Sequence, residues 1–234
     1  MIIRKNISDQ VFDYFVDKIR NGQLKPGDKL PTERDLSQEL GVSRVSIREG
    51  ILSLARMGIM VTKQGDGTYV NSKKPDILSQ VMAIYVTMEK ESLAMEYMEV
   101  RKVMESEAAR LASLHATAED ITRIKSIHEK RKAIIKGSKD VYDYALLYEY
   151  DRQFHAAIAM ATHNSMFVNF LNAIHTTLKI QQKESSSFKD MPRKSNAYHE
   201  KVLHAIMGKN PEKAIKWMSA HLDDVTHAIM NKAT

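Results

Sequence analysis

Along the first seventy positions, apolar residues come in short runs broken by glycine and proline. From about residue 77 onward they recur at helical spacing over long stretches. In the first part, Phe12, Phe15 and Ile19 mark one face of a helix over about 8–21. Pro31 and Thr32 precede a second helix, with Thr32 as its cap and Asp35 three residues on. Gly41 ends that helix and Ser43 is a natural N-cap for a third, which Ile47, Ile51 and Leu54 line at i, i+4, i+7. Segments 59–63 and 68–70 then predict two strands around a Gly65-Asp66-Gly67 turn. Short helices followed by a glycine-tipped hairpin give the order of a winged helix-turn-helix, a unit that lays one helix in a DNA major groove.

The second part predicts six or seven helices, over about 77–89, 93–115, 117–136, 140–162, 164–186, 194–208 and 211–231. The breaks fall at Ala116-Thr117, Gly137-Ser138, His163-Asn164, Met191-Pro192 and between Gly208 and Pro211, and Ser185, Ser186 and Ser187 look like a helix end or loop. No strand pattern follows Val70, so this part is expected to be an all-α bundle. The expected organisation is mostly α: a winged helix-turn-helix domain at 1–72, a linker at 73–76 carrying Lys73, Lys74 and Pro75, and a helical domain at 77–234.

Composition narrows the chemistry. The 234 residues include no cysteine, which excludes disulfides and thiolate metal sites. Neither a signal-peptide pattern nor an apolar run of membrane-spanning length is present, so a cytoplasmic protein is expected. The formal charge of +6 is spread over both parts. Local clustering says more: positions 42–63 carry Arg44, Arg48, Arg56 and Lys63 against Glu49 alone.

Arg44 and Arg48 lie one turn apart at the leading end of the third helix, off its apolar stripe, where arginine can pair bidentately with guanine. Arg34 on the preceding helix can hold phosphate or reach the groove edge, and Ser43 and Ser46 are candidate phosphate contacts. In the helical part, Asp151 and His155 share a stripe with Tyr144, Tyr148 and Ile158. His199 lines up with Val202, Leu203 and Ile206, and His221 with Ala214, Met218 and Val225. A carboxylate and three imidazoles directed into an apolar bundle are costly unless they satisfy one another, and one divalent metal ion would satisfy all four. With nine histidines, some alignment with apolar stripes is expected by coincidence. His115, His128, His163, His175, His204 and His227 are read as ordinary core or surface histidines. The fourteen methionines are read as core filler.

The elements Leu30-Pro-Thr-Glu-Arg-Asp-Leu36, Val42-Ser-Arg-Val-Ser-Ile-Arg-Glu49 and Gly65-Asp-Gly-Thr-Tyr-Val70 resemble the DNA-binding domain of the GntR family of bacterial transcription regulators, over about 8–70. That resemblance implies DNA contacts from Arg34, Arg44, Arg48 and the wing at Gln64 and Gly65. Gly50 departs from it, standing where the family usually has alanine; glycine inside a helix costs about 1 kcal/mol relative to alanine. Residues from about 78 to 230 resemble the helical effector domain of the family's FadR-type (FCD-like) branch. The elements carrying this are Glu99-x-Arg101-x-x-x-Glu105, Asp151-x-x-x-His155, His199-x-x-Val202-x-x-Ala205-Ile206 and His221-Leu222. Many members of that branch hold a metal through an aspartate and three histidines, which implies one divalent ion per chain (Zn, Mn, Ni or Fe) at Asp151, His155, His199 and His221. The histidine set argues against a fatty-acyl effector.

Arg101 shares a stripe with Tyr97, Met104, Ala108 and Leu111 and is expected to point inward, where a guanidinium wants an anion. Glu105, one turn on, can pair with it; alternatively, a small organic acid bridges the metal and Arg101, as the family's small-carboxylate responses imply. The resemblance thus implies a non-enzymatic transcription regulator, most often a repressor. It would work as a homodimer on an inverted-repeat DNA operator, with a small carboxylate as effector and no membrane partner. Alternative readings are a purely structural metal without effector, and a metalloenzyme fused to a DNA-binding module.

Overall fold

The computed structural model describes residues 6–72, 77–78, 81–82, 84, 93–138, 142–181 and 191–230. The chain divides into two compact units, Met1–Ile77 and Leu78–Thr234.

The first unit runs α1 (Ile7–Arg20), α2 (Glu33–Leu40), α3 (Arg44–Arg56), β1 (Met60–Lys63) and β2 (Gly67–Val70). Local chemistry sets the boundaries. The Thr32 hydroxyl accepts the Asp35 amide at the start of α2, and the Ser43 hydroxyl accepts the Ser46 amide at the start of α3. Gly41 adopts φ 67° between the two helices, a left-handed conformation that costs glycine little. The strands pair antiparallel with Met60 opposite Val70 and Lys63 opposite Gly67. The backbone at 28–30 adds to the edge of this hairpin, with Leu30 N donating to Thr68 O at 2.8 Å.

Val11, Phe15, Leu30, Leu36, Ile47, Ile51, Leu54, Met60 and Val70 form the core of this unit. The buried edge of α1 is centred on Val11 and Phe15, and the expected stripe members Phe12 and Ile19 pack at its margin. Gly50 sits where α1 crosses α3. A Cβ there would lie 2.7 Å from Val11 Cγ1 and 3.0 Å from the Ser8 carbonyl oxygen, so glycine is what permits this approach.

The second unit contains α4 (Leu93–His115), α5 (Ala118–Gly137), α6 (Tyr144–Met160), α7 (Ser165–Gln181), α8 (Met191–Met207) and α9 (Pro211–Met230). It is an all-α bundle in which α4 packs along α9 and meets α6, α7 and α8, while α5 packs on α6 and α8. Most of the expected helix at 77–89, the linker at 73–76 and the 185–187 serines lie outside the described residues. Two boundaries differ from expectation. α6 begins at Tyr144 rather than 140, because Asp143 caps it by accepting from the Leu146 amide. α8 begins at Met191 rather than 194: Pro192 lies in its first turn, where a missing amide hydrogen costs nothing.

Three more helix starts carry side-chain caps: Thr117 and Asp120 form a reciprocal capping box on α5, Asn164 Oδ1 accepts from Met166 N, and Asn210 Oδ1 accepts from Lys213 N. His163 (φ 53°) and Lys209 (φ 50°) take left-handed conformations just after α6 and α8 and turn the chain. Among the described residues no helix is long and apolar enough to cross a membrane.

Candidate functional site

Arg34, Arg44 and Arg48 are all exposed on the first unit, as are Ser43, Gln64 and Gly65, while Ser46 is half-buried. Arg44 opens α3 and Arg48 follows one turn later on the same outer edge. Arg48 is engaged: Nη2 lies 2.7 Å from Glu33 Oε2 and Nε lies 3.0 Å from Oε1, a two-point pair between α3 and α2. These bonds hold the Glu33 carboxyl below the usual carboxylate range. The Ser43 and Ser46 hydroxyls lie 2.9 Å apart, so the capping role predicted for Ser43 is accompanied by a contact with Ser46. At the wing, Asp66 accepts from Lys29 Nζ at 3.0 Å and from the Tyr69 hydroxyl at 2.8 Å, which ties the turn to the segment before α2. Val45, 64% exposed at the leading end of α3, is an apolar group that the charge pattern did not single out.

In the second unit, Asp151 and His155 project from α6, His199 from α8 and His221 from α9. One ligand atom from each lies within 4.8 Å of every other. His199 Nε2 is 3.3 Å from His221 Nε2 and 3.5 Å from Asp151 Oδ1, and His155 Nε2 is 3.8 Å from Asp151 Oδ2. Donors bound about 2.0–2.1 Å from a tetrahedral ion lie roughly 3.3 Å from one another, so these spacings suit a shared cation with small adjustment. Burial, reinforced by the neighbouring imidazoles and Arg131, pushes His199 well below the ordinary histidine range. His221 is pushed down to about 3, chiefly by burial. At neutral pH both are therefore neutral, with lone pairs available to a metal. Burial acts to raise the Asp151 carboxyl, but Arg131, His155, His221 and Arg101 together outweigh it and keep it ionised.

The ring orientations are fixed by packing. Phe154 stacks on His199 with ring centroids 4.1 Å apart and 12° between planes. His155 turns its Nδ1 to Glu105 Oε2 on α4. A carboxylate on one imidazole nitrogen leaves the other, Nε2, directed to the site. Glu105 in turn accepts from Arg101 Nε at 2.6 Å and lies 3.0 Å from His175 Nε2. Burial alone would raise the Glu105 carboxyl, yet Arg101 and the two histidines bring it well below the usual range. Glu105, His155 and His175 thus form a second cluster that shares His155 with the first.

Arg101 points inward, as its stripe predicts, and is 2% exposed. Its Nε serves Glu105, while Nη1 has no hydrogen-bond partner among the described residues. Arg101, Tyr148, Asp151, Ser195 and His221 border a cavity of about 610 Å³, counting its open mouth. Arg131 of α5 lines it too, within 3.4 Å of Asp151 Oδ1.

Glu105 pairs with Arg101 as their spacing suggests, whereas its contacts with His155 and His175, and the place of Arg131 and His175 here, are not assigned from the sequence. Arg131 had a signal: Ile124, His128, Arg131 and Ile135 recur at i, i+4, i+7 and i+11 and are all buried. His175 likewise follows Leu171 by one turn on α7, and both are buried. His204 is exposed, as its position off the His199 stripe implies.

Two family models match the chain: the bacterial regulatory proteins of the gntR family at residues 7–70, and the FCD domain at 96–224. The HTH-type transcriptional regulator LutR of Bacillus subtilis is 31% identical over 212 residues, covering 88% of this chain and 94% of LutR. The Uxu operon regulator of Haemophilus influenzae is 31% identical over 216 residues, covering 88% of this chain and 76% of that protein. Among solved structures, a Streptococcus agalactiae GntR protein aligns with a TM-score of 0.71 at 25% identity, covering 93% of this chain and 98% of that one. The winged helix-turn-helix, the helical bundle that follows it in the sequence and these relatives together show that the chain belongs to the GntR family, as a DNA-binding transcription regulator with an FCD effector domain.

Proposed function

We propose that this regulator is a repressor whose operator affinity is lowered by a small carboxylate bound beside a metal ion in the helical unit. The observation that carries the reading is the convergence of Asp151, His155, His199 and His221 next to a cavity that also exposes Arg101. Asp151, His155, His199 and His221 would hold one divalent ion; Zn, Mn, Ni and Fe all accept such N/O donors. When bound, the ion supplies a Lewis-acidic anchor for a carboxylate oxygen. Arg101 contributes what a metal cannot, a directional N–H group for the same anion, through the Nη1 that Glu105 leaves unused. Glu105 orients His155 and neutralises Arg101, so it is a positioning residue.

At the DNA, Arg44 and Arg48 read base edges, Arg34, Ser43 and Ser46 position the phosphates, and Gln64 and Gly65 bring the wing to the backbone. The protein works in the cytoplasm as a homodimer on an inverted repeat, two α3 helices reading two half-sites. The exposed α4 face carrying Val100, Val103 and Leu114 offers an apolar surface for that pairing. For the acid to release DNA it must bind the off-DNA arrangement more tightly, with the reciprocal effect on operator affinity.

The test is a thermal-shift screen of small carboxylic acids with and without prior chelation, followed by operator binding with each hit. A ligand at one hundred times its Kd adds about 2.7 kcal/mol of stability, which such a screen detects. A shift that disappears on chelation, from an acid that weakens operator binding, is the expected result. Absence of any shift, with chelation alone lowering stability, would reduce the ion to a structural role.

A further inference from the structure

Beside Arg101, a second buried guanidinium borders the same cavity. Arg131 is 4% exposed and borders the pocket together with Arg101, Asp151, Ser195 and His221. Its bonds are long: 3.4 Å from Nη2 to Asp151 Oδ1, 3.2 Å from Nη2 to Ser195 Oγ, 3.3 Å from Nη1 to Asn196 Oδ1 and 3.4 Å from Nη1 to the Pro192 carbonyl. Good N–H···O bonds measure about 2.7–3.2 Å, so only the Ser195 contact falls within that range and the other three hold Arg131 loosely. Its Nε has no hydrogen-bond partner among the described residues, and neither has Arg101 Nη1. Two buried guanidiniums, each with an N–H group lacking an acceptor, thus border one cavity.

Charge makes the same point. Two carboxylates, Glu105 and Asp151, already face the two guanidiniums, Arg101 and Arg131, across this cluster. A divalent ion adds two positive charges to this buried cluster. It also draws on the Asp151 carboxylate that now faces Arg131. A monocarboxylate would leave one of those charges uncompensated in a poorly solvated place, whereas two carboxylates would compensate both.

We propose that the effector is a small dicarboxylate: one carboxylate is held at the metal and Arg101, and the second pairs with Arg131, beside the Ser195 hydroxyl. This rests on the metal-and-acid reading of the same pocket and adds to it the class of acid. Arg131 is then the residue that sets specificity between diacids and monoacids. The fork of a guanidinium matches a carboxylate edge-on, and a methyl group in that position would leave Arg131 unpaired.

Isothermal titration of the full-length, metal-loaded protein with acids that differ only in the second carboxylate tests this. Malate is compared with 2-hydroxybutyrate, and 2-hydroxyglutarate with 2-hydroxyvalerate. The diacid of at least one pair should bind about tenfold tighter or more, and in Arg131→Gln that ratio should collapse toward one, while Arg131→Lys, which keeps the charge, should retain a preference for the diacid. Equal or tighter binding of the monoacids overturns the proposal and leaves the metal-and-acid reading standing. So does a preference that survives in Arg131→Gln. Tighter binding of 2-phosphoglycolate than of every diacid also overturns it, in favour of a phosphorylated acid. Binding of no acid of any class overturns both readings. The wild-type comparison stands alone should the Gln variant fail to fold.

Discussion

Arg48 rests on Glu33 through two nitrogens, Nη2 at 2.7 Å from Oε2 and Nε at 3.0 Å from Oε1. The Arg48 side chain is 63% exposed, so water screens the pair and leaves it weak. A bidentate contact with guanine is worth about 1–3 kcal/mol, which exceeds the cost of leaving Glu33. The pair therefore holds the arginine between α3 and α2 without trapping it. Alanine at Arg48 should cost about 1–3 kcal/mol of operator affinity and relax the preference at one base position in each half-site. Glu33→Gln should keep the sequence preference. Fluorescence anisotropy with operator and single-base variants reads both, and an unaltered preference in Arg48→Ala would refute the role given to Arg48.

Gly50 yields a prediction opposite in sign to helix propensity. Alanine in a helix interior is favoured over glycine by about 1 kcal/mol. Here its methyl would meet Val11 Cγ1 at 2.7 Å and the Ser8 carbonyl at 3.0 Å, and overpacking of this kind costs about 1–3 kcal/mol. Gly50→Ala should leave stability unchanged or lower it. In a Val11→Ala background, where the obstructing methyls are gone, the same change should be less harmful. Chemical denaturation of the four proteins of this cycle measures the coupling, and simple additivity would show that the close approach is not what selects glycine.

Removal of the metal should lower the melting temperature of the wild type. An ion present at one hundred times its Kd contributes about 2.7 kcal/mol, or about 5–10 °C in a chain of this length. Purified His199→Ala should carry little metal by elemental analysis, and its melting temperature should not respond to a chelator. An equal response in variant and wild type would remove His199 from the donor set.

His128 supplies a pH dependence unrelated to the metal. It is 1% exposed, and neither ring nitrogen has a hydrogen-bond partner among the described residues. Burial, the largest influence on it, pushes its pKa below the ordinary 6.5. The unfolded chain then takes up a proton at a pH where the folded chain does not. The stability tied to this group is fully present above about pH 6.5 and declines as the pH falls from there toward the depressed folded value. His128→Leu should abolish that part of the decline, so its gain over wild type should grow as the pH drops from 7 to 5. A constant difference across that range would show that His128 does not titrate with unfolding.

Much of the architecture can be read from local spacing. Thr32, Ser43 and Thr117 are caps, and the glycine-tipped hairpin depends on residues a few positions apart. The stripes bearing Asp151, His155, His199 and His221 also face inward, because each helix buries the side its apolar residues define. Arg131 was harder to read. It sits in the charged run His128-Glu-Lys-Arg-Lys132, which looks like a solvated face, and its burial comes from α8 folding over α5 some sixty positions later. The i, i+4 spacing of Arg101 and Glu105 suggested their pairing, but not that Glu105 also meets His155 from α6 and His175 from α7. Those contacts are set by tertiary packing. Pro192 misled for a simpler reason: a proline marks either a break or a first turn, and Met191 begins the helix around it.

The four donors come from three helices, with Asp151 and His221 far apart along a chain that has no cysteine. An ion bound there acts as a removable cross-link. Like a disulfide, it ties distant segments together, but it does so only in the folded chain, and its strength follows metal concentration and proton activity instead of redox state. The helical unit would then tighten or loosen with the metal supply, and with it the cavity that Arg101 and Arg131 border.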